Sequence, residues 1–435
     1  TVASGTWPVQ ITGQPVTVQG TLATTGVSTI QFAEAASDSF SRLRTAEPFT
    51  VFQSSMQADA QNYAWDTKTA TGGSYYLAGT IAAMELYVSN ASGSKAVRQT
   101  YASMPYLPGK SMLILMTGVL NASPKTGCVA RIGLFDDTAD KVGDSGGDGV
   151  FVELNGTQPN IVLRSSKTGS QVDTVIPQSS WNVDKMDGTG ASGLNLDFSK
   201  AQIFVYDLEW LGVGSVRVGF SYADKIYYAH IFNNQNINPG AYMRRATLPL
   251  RYGIQNTSAT SGASTMRQIC CSVLMEGQDG WLGYGRSFSA DTGNNPQTAN
   301  QGVLQPVFAV RAIAGRLRTS FIPTLIGCAL TTKQTCFLAL YMNGTVSGGS
   351  WTAVGGGSGM EYNTTPTSFT GGYKLVSKLS HKDLSEVQFN TVNEAYNNLL
   401  VGSSIAGTPQ QLIVTLLCVG GNGAAVTACN WLETD

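Results

Sequence analysis

The chain has 435 residues, only 13% of them charged against a usual ~25%, and 49 of them glycine, so its polar surface is built from hydroxyls, amides and backbone. Lysine and arginine number 27 and aspartate and glutamate 28, a formal net charge of -1, which leaves no electrostatic footprint for nucleic acid or an anionic membrane. The longest apolar runs, SMLILMTGVL and QLIVTLLCVGG, have strand length and fall short of the ~20 residues of a membrane span, so neither nucleic-acid binding nor membrane insertion is expected.

The chain opens TVASGTWPVQITGQPVTVQG, without the basic start and apolar stretch of a secretory signal, so the sequence as it stands gives no support for export. Within it, Pro8, Val9, Ile11 and Gly13 recur seven positions later as Pro15, Val16, Val18 and Gly20. Prolines at that spacing forbid a helix, and the alternating apolar positions favour an extended strand with one apolar edge. Such a strand cannot cover its own edge. Val9, Ile11, Val16 and Val18 are therefore the candidate anchoring or oligomerising residues of an N-terminal segment, 1–38.

From about Phe40 onward, short runs of period-2 apolarity alternate with Gly, Asn, Asp, Ser and Pro turns, the pattern of a sandwich or jelly roll. Strands are expected at SMLILMTGVL, CVARIGLF, GVFVELNG and NIVLRSS. In QIFVYDLEW, Phe204, Tyr206, Leu208 and Trp210 would form one face and Ile203, Val205, Asp207 and Glu209 the other. GSVRVGF follows after the turn LGVG and completes a hairpin. KIYYAHIF continues the meander, with Ile226, Tyr228, His230 and Phe232 opposite Tyr227, Ala229 and Ile231. The expectation is a first domain over 39–276, a Gly/Asn/Asp-rich linker over 277–302 and a second β domain over 303–435, with strands at VFAVRAI, TLIGCAL, TCFLALYMNG, KLVSKL and QLIVTLLCVGG. Only HKDLSEVQFNTVNEAYNNLL could hold a helical turn or two. The fold class is all-β: two jelly-roll or β-sandwich-like domains preceded by an extended N-terminal strand or stalk.

Chemistry is sparse. The two histidines, His230 and His381, fall in different expected domains, which disfavours a histidine-based triad or a multi-histidine zinc site; His230 reads as a hydrogen-bonded sheet residue. Asp207 and Glu209 share a strand face at about 7 Å, compatible with a glycoside-hydrolase pair. The same spacing arises wherever a strand alternates apolar with solvated residues, and that is the expected reading. The loop FDDTADKVGDSGGDG gathers Asp136, Asp137, Asp140, Asp144 and Asp148 among glycines, but it lacks EF-hand spacing and a closing glutamate. It reads as a solvated turn, and whether it holds a cation is left open. WNVDKMDGTGASG is similar, and the glycines 355–357 lack the lysine of a P-loop. The seven cysteines are odd in number, have no CxxC spacing, and read as buried free thiols. The aromatic residues could build sugar-stacking platforms, although most of those in strands should be core.

Several stretches resemble a family of virion structural proteins from tailed bacteriophages and other large DNA viruses: SRLRTAEPFTVFQSS, VRQTYASMPYLPGKSMLILMTGVL, IGLFDDTADKVG, SSWNVDKMDGTGASGLNLDFSKAQIFVYDLEWLGVGSVRVGF and GGSWTAVGGGSGMEYN. LDFSKAQIFVYDLEWLGVGSVRVGF is the most specific of these, and the opening repeat looks like the N-terminal stalk of a phage fibre. The resemblance implies a non-enzymatic fibre, spike or capsid decoration located in the virion, with no cofactor, no metal and no catalytic residue. Its implied partners are copies of itself, with a homotrimer as the leading form, and other capsid or tail proteins, with host-surface glycans as a further option. Two alternatives stay open: a carbohydrate-binding receptor-recognition protein, and a β-sandwich glycoside hydrolase or depolymerase using Asp207 and Glu209.

Overall fold

The computed structural model describes residues 37–38, 42–45, 47–138, 147–277, 286–381, 387–389 and 399–434. Val9, Ile11, Val16 and Val18 lie outside the described residues. Apart from three single-turn 3-10 helices, every regular element described is a strand, and all strand pairs within the sheets are antiparallel. The chain is all-β.

The first body is a sandwich of an eight-stranded and a seven-stranded sheet. One runs in the order Lys225–Phe232, Val216–Tyr222, Gln202–Leu208, Met112–Val119, Ser264–Glu276, Ala83–Val88, Ser74–Ala78, with Pro48–Ser55 also paired to Ser264–Glu276. The other runs Val172–Pro177, Gln158–Ser165, Gly149–Asn155, Cys128–Phe135, Leu250–Asn256, Lys95–Thr100, Trp65–Ala70. Neighbours far apart in sequence, such as Met112–Val119 between Gln202–Leu208 and Ser264–Glu276, make the jelly-roll-like crossovers.

Period-2 patterning decides which side chains enter the space between the sheets. Phe204, Tyr206, Leu208, Val216, Val218 and Phe220 from one sheet meet Ala130, Ile132, Leu134, Val150 and Val152 from the other in one continuous core. Each such large apolar side chain contributes about 1.5–3 kcal/mol when fully buried. Two core tyrosines tie the sheets together: Tyr206 donates its hydroxyl to the Ile132 carbonyl at 2.5 Å, and Tyr252 donates to that of Cys270 at 3.0 Å. A register shift at Val218/Gly219 departs from strict alternation. It turns Ala229 and Phe232 together to the core while Tyr228 points to the opposite face, so the expected grouping of Tyr228 with Phe232 does not hold.

The second body packs a five-stranded sheet, with Gly423–Thr434 between Ser287–Asp291 and Ser320–Leu330, on a six-stranded sheet centred on Leu304–Ala312, Leu412–Cys418 and Thr335–Ser347. Phe308, Leu338, Leu340, Val414, Leu416 and Trp431 fill its core. The segment expected as a linker is partly sheet: Ser287–Asp291 and Gln297–Ala299 both pair with Gly423–Thr434. Its Gly- and Asn-rich turns hide two short edge strands whose partner lies more than a hundred residues away, a pairing local sequence cannot reveal. Within the stretch expected to hold a helical turn, the described residues Val387–Phe389 form a strand against Ser320–Leu330.

The two bodies share a dense junction. Ile322 and Leu400 of the second join the core of the first. Ser103 donates its backbone N–H to Ser320 Oγ at 2.8 Å, and Ile405 donates its own to Asp66 Oδ2 at 2.7 Å. Gly402 lies so close that a Cβ there would sit 2.1 Å from the Tyr101 carbonyl oxygen, so only glycine fits.

Cys336 and Cys418 stand opposite each other on adjacent strands and form a disulfide, which corrects the reading of all seven cysteines as free thiols. The two lie 82 residues apart in sequence, and only strand register brings them together. Cys128, Cys270, Cys271, Cys328 and Cys429 remain thiols. The denatured, unreduced protein is therefore expected to titrate five thiols with Ellman's reagent, rising to seven after reduction; seven before reduction would contradict the pairing.

Candidate functional site

Asp207 and Glu209 do lie on one face, but that face is not solvated: both are fully buried, which corrects the solvated-strand expectation. Hairpin register sets Asp207 directly opposite Arg217, a cross-strand pair of opposite charge. Arg217 Nη2 bonds Asp207 Oδ2, Arg44 Nη2 reaches the same oxygen at 2.8 Å, Tyr228 donates its hydroxyl to it at 2.9 Å, and Ser111 donates to Oδ1 at 2.9 Å. The Arg217 guanidinium also lies 4.7 Å from the Tyr228 ring centroid.

What covers this face is the end of the N-terminal segment, 1–38, and the chain just beyond it. Arg217 Nη2 donates to the Ser37 carbonyl at 2.6 Å. Asp38, fully buried, accepts the Arg42 backbone N–H at 2.8 Å and its Nε at 2.6 Å, while Arg42 Nη2 donates to the Gly109 carbonyl at 3.2 Å. Arg44 further pairs with Glu276 at 3.5 Å. Ser37 and Arg44 are thus clipped to the eight-stranded sheet at a buried carboxylate, beside the Asp38–Arg42 pair. The signal was present in the sequence as an Asp four residues before the LGVG turn and an Arg three after it, although nothing local identified Arg44 as a partner.

Glu209 sits apart from this network. Its Oε1 accepts the Tyr106 hydroxyl at 2.6 Å, and its Oε2 is buried without a hydrogen-bond partner. Burial pushes its pKa up to about 7, partly offset by the Tyr106 hydrogen bond and the Arg42 charge. With Asp207 locked by two arginines and Glu209 enclosed, neither carboxylate faces solvent as an acid/base pair requires.

Three open clefts lie at the junction. One, of about 600 Å³, is lined by Asn62, Asp66, Tyr75, Tyr101, Asn343 and Tyr373, among others. A neighbouring cleft of about 700 Å³ shares Tyr101 and is more apolar, with Val51, Phe52, Leu399 and Leu400 in its walls. A third, of about 590 Å³, has Tyr106, Trp210 and Arg244 in its lining.

The remaining sequence candidates are structural where they are described. Asp136 pairs with Arg318, Asp137 pairs with Arg164 at 3.2 Å, and Asp148 accepts the Ser166 N–H at 2.8 Å and its hydroxyl at 2.7 Å. Asp140 and Asp144 lie outside the described residues, among which no group of three or more His, Cys, Asp or Glu could hold a metal. In WNVDKMDGTGASG, Asp184 caps the Met186 and Ser192 N–H groups at 2.9 and 2.6 Å. His230 accepts the Asn182 N–H at Nδ1 over 3.3 Å, and burial lowers its pKa. Gly355, Gly356 and Gly357 all have positive φ and form a turn.

Two predictions follow from the buried acids. Asp207→Ala strands two guanidinium groups and is expected to destabilise the protein by roughly 3–5 kcal/mol in urea unfolding, against little change for Asp187→Ala in an exposed turn. For Glu209, the folded pKa lies above the unfolded value of 4.5, so the folded state binds the extra proton between pH 4.5 and about 7. That contribution to stability is complete below pH 4.5 and is lost as pH rises through 7. The melting temperature of Glu209→Gln should consequently fall less than wild type between pH 5 and pH 8; parallel profiles would contradict the assignment.

No protein-family model and no curated protein sequence matches the chain. Solved structures that align with it include a β-glucanase of Bacillus licheniformis (12% identity, 52% of this chain and 98% of that one, TM-score 0.33). Others are a putative β-glucanase of Mycobacterium abscessus (9%, 52% and 100%, 0.35) and a legume lectin-like domain of Entamoeba histolytica (9%, 53% and 99%, 0.30). Likeness at this level identifies neither a ligand nor an activity for this chain, and the all-β assignment rests on its own sheets.

Proposed function

We propose that this chain is a non-enzymatic structural component of a virus particle, a fibre, spike or decoration protein carried by its N-terminal segment and working by contact. The observation that carries the reading is the clip made by Ser37, Asp38, Arg42 and Arg44. Any tension on the segment before them passes through Ser37 into Arg217, and through Arg44 into Asp207, in the middle of a sheet, with Asp38 and Arg42 paired beside them. Opening it would take Arg44 from the buried Asp207 and the Ser37 carbonyl from the buried Arg217, which makes it a stiff attachment point. The most specific part of the family resemblance, LDFSKAQIFVYDLEWLGVGSVRVGF, contains the hairpin that supplies Asp207 and Arg217, so the resemblance and the clip coincide. The apolar edge formed by Val9, Ile11, Val16 and Val18 is the part proposed to bury against sister chains, in a homotrimer, or against a capsid or tail protein.

A second reading, carbohydrate recognition as the main role, is favoured by one observation: the tyrosine- and amide-lined cleft at the junction. The two are compatible, since a particle-surface protein can also carry the host contact.

The test is assembly. A chain lacking residues 1–35 is expected to keep its folded body, with unchanged melting temperature, but to be monomeric by mass in solution and absent from particles. Incorporation of the truncated chain at the full-length level would overturn the anchoring role.

A further inference from the structure

The junction cleft is notable for what the fold leaves unused in it. The hydroxyls of Tyr75, Tyr101 and Tyr373 and the side-chain amide of Asn62 make no hydrogen bond to any described residue, although all four line the same space. Tyr75 and Tyr373 are 43% and 44% exposed, so their rings are available rather than committed to a core. Tyr373 is nevertheless held. Tyr373 packs edge-on against Tyr63 with ring centroids 6.2 Å apart. It follows Gly372, whose φ of +91° and whose approach to the Gly344 backbone, 2.9 Å from a notional Cβ, exclude any other residue.

The floor is fixed as well. Asp66 Oδ1 accepts the Thr67 N–H at 2.9 Å and Oδ2 the Ile405 N–H at 2.7 Å, which orients the carboxylate and leaves each oxygen a further lone pair. Asn343 donates to the Tyr63 carbonyl at 3.2 Å and accepts from Gln410, locking the wall contributed by the second body. Asp66 is the sole ionisable carboxyl in the lining, and no lysine or arginine is part of it.

We propose that this cleft binds a neutral, polyhydroxylated saccharide. Tyrosine faces take up the C–H faces of sugar rings, while the free hydroxyls, the Asn62 amide and the Asp66 lone pairs meet the sugar hydroxyls. The volume, about 600 Å³, suits a stretch of oligosaccharide. An acidic saccharide would face Asp66 with no lysine or arginine in the lining to pair with it. A quaternary ammonium would satisfy the rings and the carboxylate but none of the hydroxyls or the amide. The site needs both bodies at once, since Asn62, Asp66, Tyr75 and Tyr101 come from one and Asn343 and Tyr373 from the other. This inference deepens the carbohydrate reading above and is independent of the anchoring role.

The full chain should be tested on an array of neutral oligosaccharides, malto- and chito-oligomers included, alongside oligogalacturonate and choline as probes. At least one neutral oligosaccharide should bind, and Tyr75→Ala and Tyr373→Ala should each weaken that binding about tenfold or more without lowering the melting temperature. Both variants should still enter particles, which separates failure here from failure of the anchoring role. No binding by any neutral saccharide, binding indifferent to both substitutions, or stronger binding of choline or oligogalacturonate would each overturn the proposal.

Discussion

A carboxylate taken wholly out of water has to be met by positive charge and hydrogen bonds, and Asp207 is the point at which this protein accepts that constraint. Its partners come from four separate places: Arg217 from the neighbouring strand, Tyr228 from the strand beyond it, Ser111 from the entry to another, and Arg44 from the chain beyond the N-terminal segment. Burying such a network is weak evidence for net stability, because desolvation consumes most of the Coulombic gain. Its value lies in specificity. With Asp207 inside, Arg44 has a defined partner to meet, and the Arg217 guanidinium, already on that carboxylate, fixes the Ser37 carbonyl beside it.

The same logic of over-determination governs the junction between the bodies. Apolar contact through Ile322 and Leu400 supplies cohesion without direction. Direction comes from short polar links that each need a defined geometry: Ser103 to Ser320, Ile405 to Asp66, Asn343 to Tyr63, and the Gly402 backbone against Tyr101. Asp66, Tyr101 and Asn343 among them line the cleft, so contacts that hold the bodies in register also help set the spacing of Tyr75, Tyr101 and Tyr373. A cleft built this way is preorganised, and a ligand entering it has little ordering of side chains to offset.

Strand positions were legible because period-2 patterning is a local property, and Phe204, Tyr206 and Leu208 enter the core as their alternation requires. What failed had non-local causes. The Asp207 face looked solvated because the cover, Arg44 and Ser37, lies about 165 residues away in sequence, and no periodicity encodes a lid of that kind. Phe232 changed faces because of a bulge, which has no reliable signature when no glycine marks it on its own strand. The Cys336–Cys418 bond and the edge strands Ser287–Asp291 and Gln297–Ala299 depend on pairings that only the finished sheets specify. The tyrosine cleft was foreshadowed only as a general abundance of aromatics, because its residues come from parts of the chain separated by some three hundred positions.

The distribution of charge connects these features. With charged residues at 13%, the chain places many of its arginines in enclosed or half-enclosed pairs: Arg217 and Arg44 on Asp207, Arg164 on Asp137 and Asp173, Arg318 on Asp136, Arg131 on Glu153, Arg311 on Glu361. Arginine suits such positions better than lysine, because its guanidinium is more weakly hydrated and its donors form a rigid fork. Using charge inside leaves an exterior dominated by hydroxyl, amide and backbone groups. A surface of that kind attracts no polyelectrolyte at long range and must recognise partners by shape and short-range hydrogen bonding. Both proposed contacts, an apolar strand edge packed on other chains and a tyrosine-lined cleft for a neutral saccharide, are of this short-range type, and neither requires a charged partner.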